Sequence, residues 1–266
     1  MQRRTLVTFH AHPDDEAIAT GGVMAQAAAA GHRVVLVLAT KGELGEVAEG
    51  VLDDGEELSE RRVVEAEAAA KILGVERVEF LGYRDSGMVD EPTNSAPGAF
   101  AAADVEEAAA RLAAILTEEH ADVLTVYDSN GNYGHPDHIQ VHHVGHRAGE
   151  LAGTPQVFEA TMNHDYIVGL ITELADTMPD HVDRPDPEDM NLGVPDSVIT
   201  TQVDVSAFVD AKRAAMAAHA SQIGENSFFM QMPPEVFSRA FGYEWFIHKG
   251  AVPGVRETSL FAAFDD

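Results

Sequence analysis

The chain contains no cysteine. That absence excludes disulfides, thiolate metal sites and a cysteine nucleophile, and leaves His, Asp and Glu as the side chains able to hold a metal. Positive charge is also scarce. Against 45 Asp and Glu stand 17 Lys and Arg, only four of them lysines, for a formal net charge of −28. Such a surface repels a phosphate backbone, so no nucleic-acid partner is expected. It otherwise reads as a solvated acidic face, suited to high ionic strength because salt screens self-repulsion. No apolar run is long enough to cross a bilayer, so no membrane partner is expected either. Met1-Gln2-Arg3-Arg4 leads straight into the short apolar run Thr5 to Phe9, too short for the apolar region of a secretory signal. A cytoplasmic location is the expectation, and a homo-oligomer is left open. What is present is apolar bulk: 45% of 266 residues, enough for one substantial core.

That bulk is distributed in alternating patterns. Thr5 to Phe9, Val34 to Leu38, Val78 to Leu81 and Val123 to Tyr127 are short, β-branched or aromatic runs that read as buried strands. Between them lie helical stretches: about 17–30, closed by Gly31; from an N-cap at Ser59 to Leu73, closed by Gly74; and from Asp104, with Glu107 three residues on as a capping box. Pro136 opens a further helix to about Leu151. Strand–helix alternation predicts an α/β fold, a mostly parallel, Rossmann-like sheet with helices on both faces. The second half is less regular. It reads as strands at 157–162, 198–203 and 244–248, helices at 165–177 and 208–219, and a Pro/Asp-rich surface loop at 178–195. With no repeat and no boundary signal, residues 1–266 are expected to form a single domain.

Ligands of parallel α/β sheets bind outside the carboxyl ends of the strands. His12 follows the first strand, Glu43 the second, Asp85 the third, and Tyr133 to His138 the fourth. All four polar clusters therefore fall on one edge. His12 and Asp15, three apart at a strand-to-helix turn, can face one point, and His138 would complete a two-histidine, one-carboxylate set. Three protein ligands leave room for water, the arrangement of a catalytic zinc, which lowers the pKa of bound water to roughly 7. Asp14, beside a ligand, is placed to serve as the base. Asp137 could orient His135. An alternative set exists: His138, His142 and His146 recur every four residues on one helix face, and such pairs can bind zinc. His219 reads equally as a support for the site or as an ordinary helix-end histidine.

Ala11-His12-Pro13-Asp14-Asp15-Glu16 together with Gly134-His135-Pro136-Asp137-His138 resembles the LmbE-like (PIG-L) zinc N-deacetylase family. The likeness extends through Arg62-Val63-Val64-Glu65, Leu73-Gly74-Val75, Arg84-Asp85-Ser86-Gly87-Met88 and Tyr127 to Tyr133, over about the first 150 residues. Within the family the chain resembles the mycothiol-pathway deacetylase and the S-conjugate amidase. The resemblance implies Zn2+, or another divalent ion such as Fe2+, held by His12, Asp15 and His138. It implies Asp14 as general base and Tyr133 and His135 as polarising groups at the substrate carbonyl and leaving amine. Arg62, Asp85 and, less securely aligned, Glu43 match positions that contact the sugar. The activity implied is removal of an N-acyl group, an N-acetyl above all, from a glucosamine-type conjugate. The S-conjugate amidase reaction is the alternative of the same chemistry, and a non-catalytic carbohydrate- or metal-binding protein the alternative of another class. Asp14 argues against the latter, since a binding module has no use for a base beside the metal.

Overall fold

The structure, a computed structural model, describes residues 2–47, 50–174, 192–252 and 256–264. Seven strands form one sheet in the order β3-β2-β1-β4-β5-β7-β6. They are β1 (Thr5–His10), β2 (Arg33–Leu38), β3 (Arg77–Phe80), β4 (Val123–Tyr127), β5 (Gln156–Thr161), β6 (Thr201–Asp204) and β7 (Tyr243–His248). Strands β1 to β5 are parallel, and β7 runs antiparallel to both β5 and β6. The helices are α1 (Asp15–Ala19), α2 (Gly21–Ala29), α3 (Leu58–Leu73), α4 (Val105–Glu118), α5 (Gly131–Gly134), α6 (Pro136–Ala152), α7 (His164–Leu174), α8 (Val209–Ala218), α9 (Phe228–Gln231) and α10 (Pro234–Phe241). The expected α/β class and parallel sheet are observed. β1, β2 and β4 are apolar runs buried nearly throughout, as strands covered on both faces must be.

Three local expectations change. The single helix expected over 17–30 is two, α1 and α2, broken at Thr20. Thr20 bonds His10 Nε2 through its hydroxyl at 2.8 Å, so it serves the core beneath the helix rather than a continuous helical turn. Helix α3 begins one residue before Ser59, and its N-cap is Glu57, without a side-chain cap. In the second half, β6 starts at Thr201 after a 3-10 turn at Asp196–Val198. Asp104 does cap α4, accepting the Glu107 N–H at 2.9 Å. The loop expected over 178–195 lies, up to residue 191, outside the described residues.

The strand order reverses direction at β1, between β2 and β4. Loops leaving the carboxyl ends of β1 and β4 therefore diverge around a crevice, where such sheets hold ligands. The polar clusters His12 to Glu16 and Tyr133 to His138 are on those two loops.

Candidate active site

The β1 loop turns abruptly at Asp14, whose backbone sits at φ 107°, ψ −33°. A non-glycine residue rarely adopts this region, and the surroundings must hold it there. Glu16, fully buried, does so with one oxygen, accepting the Asp14 N–H at 2.9 Å. The other Glu16 oxygen meets His219 Nε2 at 2.6 Å. Burial works against the Glu16 charge, but His219 overcomes this and holds the carboxyl below its ordinary range. His219, which ends α8, thus supports the site through Glu16.

The side chain of Asp14 faces Arg62 Nη2 at 3.2 Å. Arg62 is buried, and its guanidinium also donates to the carbonyls of Gly42, at 2.9 Å, and of Pro13. A Cβ on Gly42 would lie 2.1 Å from Arg62 Nη1, so only glycine, here at φ 64°, admits the guanidinium. Arg62, expected to contact the sugar, binds the β1 and β2 loops through Nη2 and Nη1, while its buried Nε has no hydrogen-bond partner among the described residues. Burial pushes Asp14 up to about 6, with Arg62 opposing and Asp15 adding to the rise.

His12 lies among carboxylates. Its Nε2 is 3.0 Å from Asp137 Oδ2 and 3.5 Å from Asp85 Oδ1, and its Nδ1 is 3.4 Å from Asp15 Oδ2. Burial disfavours a cation on this ring, yet Asp137, Asp15 and Asp85 together raise its pKa well above the ordinary value. Asp137 is locked by Ser86, which donates from its N–H at 3.0 Å and its hydroxyl at 2.5 Å. The sequence expectation that the Asp137 side chain orients His135 is corrected: its carboxylate holds His12, and only its backbone N–H reaches His135 Nδ1, at 3.1 Å. Asp85 is buried and Glu43 half-buried. Asp85 accepts the N–H groups of Leu44 at 3.1 Å and Gly87 at 2.9 Å, and Glu43 accepts the Asp85 N–H at 3.0 Å. They latch the β2 and β3 loops together, and Asp85 also joins His12 and Asp137 in a second group of donor atoms that could hold an ion.

The β4 loop supplies the other wall. Asp128 accepts the N–H groups of Asn130 and Asn132, each at 3.0 Å, while Thr161 of β5 donates to it at 2.5 Å. Gly131 (φ 61°) lets this loop lie against α6, since a Cβ there would be 2.6 Å from His138 Cβ. The loop carries Tyr133, which is 41% exposed with its ring 4.9 Å from that of His138. Desolvation and the nearby Asp15, Asp14 and Asp85 carboxylates raise its pKa, so the phenol stays protonated and able to donate.

His138 Nε2 lies 3.4 Å from Asp15 Oδ2, and neither of its buried ring nitrogens has a hydrogen-bond partner. Asp15 Oδ2 is thus equidistant from His12 Nδ1 and His138 Nε2. One nitrogen from each of His12, His135 and His138 also falls within 4.8 Å of the others. His135 differs in one respect. Its Nδ1 must be the acceptor of the Asp137 N–H, so the neutral ring carries its proton on Nε2. Burial, with His12 and His138 nearby, lowers its pKa to about 4 and keeps it neutral. The donor set of His12, Asp15 and His138 fits a divalent ion, because it combines an orphaned buried imidazole with surrounding carboxylates that favour positive charge. The alternative helix-face set divides: His138 joins this cluster, while His142 and His146 turn to Glu159 of β5.

Sequence reasoning brought His12, Asp14, Asp15, Tyr133, His135 and His138 to one edge, and the structure gathers them. It missed Ser86, Glu16 and Asp128. Each acts through a partner remote in sequence or through backbone N–H groups, and spacing carries no signal of either.

The chain is similar to known proteins in sequence and in fold. The PIG-L family profile, described as GlcNAc-PI de-N-acetylase, matches residues 7–148. A 1D-myo-inositol 2-acetamido-2-deoxy-alpha-D-glucopyranoside deacetylase of Acidothermus cellulolyticus is 40% identical, over 98% of this chain and 96% of its own. The protein of that name from Thermobifida fusca is 43% identical over 84% of this chain and 85% of its own. Among solved structures, the N,N'-diacetylchitobiose deacetylase of Pyrococcus horikoshii superposes with a TM-score of 0.58 at 22% identity, covering 94% of this chain and 84% of its own, and so shares the fold.

Proposed function

The chain belongs to the PIG-L family, and from that premise we propose that it is a metal-dependent N-deacetylase acting on a glucosaminyl-inositol amide. The observation that carries this reading is the convergence of His12 Nδ1 and His138 Nε2 on Asp15 Oδ2, at 3.4 Å each, with Asp14 next in the chain. The substrate class rests on the relatives named above, similar to this chain over nearly its full length. Their names do not favour the S-conjugate amidase alternative.

His12, Asp15 and His138 would hold the ion, and a two-histidine, one-carboxylate set suits zinc or iron(II). Such an ion supplies Lewis acidity and an acidified water. Asp14, with its carboxyl near pH 6, takes the proton of the attacking water as the oxygen adds to the acyl carbon. The Tyr133 phenol and the His135 Nε2–H donate hydrogen bonds where negative charge develops on the carbonyl oxygen. The C–N bond then breaks, and the proton on Asp14 passes to the departing nitrogen, giving acetate and a free amine. Neutral His135 keeps its proton and serves as a donor only. Its Nε2–H is also why Asp15, rather than His135, is assigned as the third ligand.

The test measures acetate release from N-acetylglucosaminides that differ in aglycone, alongside metal content. Asp14→Asn is expected to keep the metal and lose about 10²- to 10⁴-fold in turnover. His138→Ala is expected to lose the metal. Near-normal turnover in metal-replete Asp14→Asn would remove Asp14 from the mechanism, and no release from the inositol glucosaminide would overturn the substrate.

A further inference from the structure

One turn along α6 from His138, two histidines leave the site described above. His142 and His146, four residues apart on one helix, have ring centroids 4.6 Å apart. Facing them is Glu159 of β5, whose Oε1 is 2.7 Å from His146 Nε2 and 3.7 Å from His142 Nδ1. One donor atom from each of the three lies within 4.8 Å of the others. Among the described residues no lysine or arginine pairs with Glu159, so its charge is met by imidazole alone.

We propose that His142, His146 and Glu159 form a second binding site, separate from the first, for a borderline divalent metal ion of the zinc type. The tautomer of His142 decides which of its nitrogens would ligate. Its Nδ1–H donates to the Tyr127 carbonyl at 3.0 Å, which leaves Nε2 with a free lone pair. A ligating histidine held by a backbone carbonyl on its other nitrogen is the usual arrangement of a metal site. Burial lowers the pKa of His142, so the ring is neutral and ready to ligate. His146 Nε2 hydrogen-bonds Glu159 Oε1 at 2.7 Å, and an ion bound between them would take the place of that hydrogen bond, with the imidazole proton held on Nδ1. The side chains are each 17% exposed, which gives an ion an entry path and room for water as its remaining ligand. Two imidazoles and a carboxylate select zinc, cobalt, nickel or copper over magnesium and calcium, which take all-oxygen sets. The ion would pin α6 to β5.

The experiment titrates metal-free protein with zinc chloride and counts bound equivalents by calorimetry and elemental analysis. Wild type is expected to take two. His146→Gln and the near-isosteric Glu159→Gln are expected to take one, with unchanged circular dichroism. His138→Ala, which disables the first site, is expected to keep the equivalent held here, so failure of one site is distinguishable from failure of the other. Saturation of wild type at one equivalent that survives in both Gln variants would overturn the proposal, as would two equivalents persisting in both.

Discussion

Asp14 is the residue on which the site's construction converges. Its left-handed backbone is clamped by Glu16 and its carboxylate by Arg62. Arg62→Ala is therefore expected to lower kcat/KM equally on a glucosaminide and on a small acetamide lacking the sugar, with metal content unchanged. A loss confined to the glucosaminide would restore Arg62 as a sugar contact. The candidate site residues were legible because they follow strands directly: His12 two residues after β1, Tyr133 to His138 soon after β4. Their supports were not. Arg62 reads in sequence as a charged position on a helix, and only the fold shows that its guanidinium is buried under the β1 loop. His219 lies about two hundred residues from Glu16, and no periodicity links them.

At the scale of elements, the places of strands and helices followed from apolar runs and glycine stops, while strand order and helix starts did not. Helix α4 begins where its Asp cap predicts, but α3 begins at Leu58 without using a side-chain cap, so the Ser59 signal had no backbone to serve. What ties these elements at the far edge of the sheet is Glu119. It ends α4 and accepts from Arg33 at the start of β2 and from Arg77 at the start of β3, the latter at 2.7 Å. Arg33 first, with burial opposing and Arg77 adding, holds its carboxyl down to about 2 from an ordinary 4.5. Because the folded value lies below the unfolded one, the pairing stabilises fully above pH 4.5 and is lost as pH falls toward 2. Glu119→Gln should thus melt lower than wild type at neutral pH, with the gap closing across that window. A constant gap down to pH 2 would show that the charge is not what matters.

Over the whole molecule, such pairs stand against a large excess of negative charge. With 45 Asp and Glu against 17 Lys and Arg, the acidic side chains far outnumber the bases that could pair with them. The melting temperature is expected to rise with sodium chloride as the Debye length shrinks to about 10 Å at 0.1 M. A flat or falling melting temperature would mean that specific pairs, not the net field, dominate. Composition disclosed this charge but not where its buried members go. Three buried carboxylates of the first half find their partners in the second or the reverse. Glu16 meets His219, Glu65 accepts from Ser221 at 2.6 and 2.8 Å, and Glu244 of β7 meets Lys212 at 2.6 Å and the N–H groups of Gly22 and Val23 that open α2. The recognisable segment, 7–148, is consequently not a portable unit. Excised at that boundary, it would keep every reactive group named here yet expose two carboxylates without partners and a helix start without its anion. A swap of this segment between relatives must carry the matching residues of 212–244 with it.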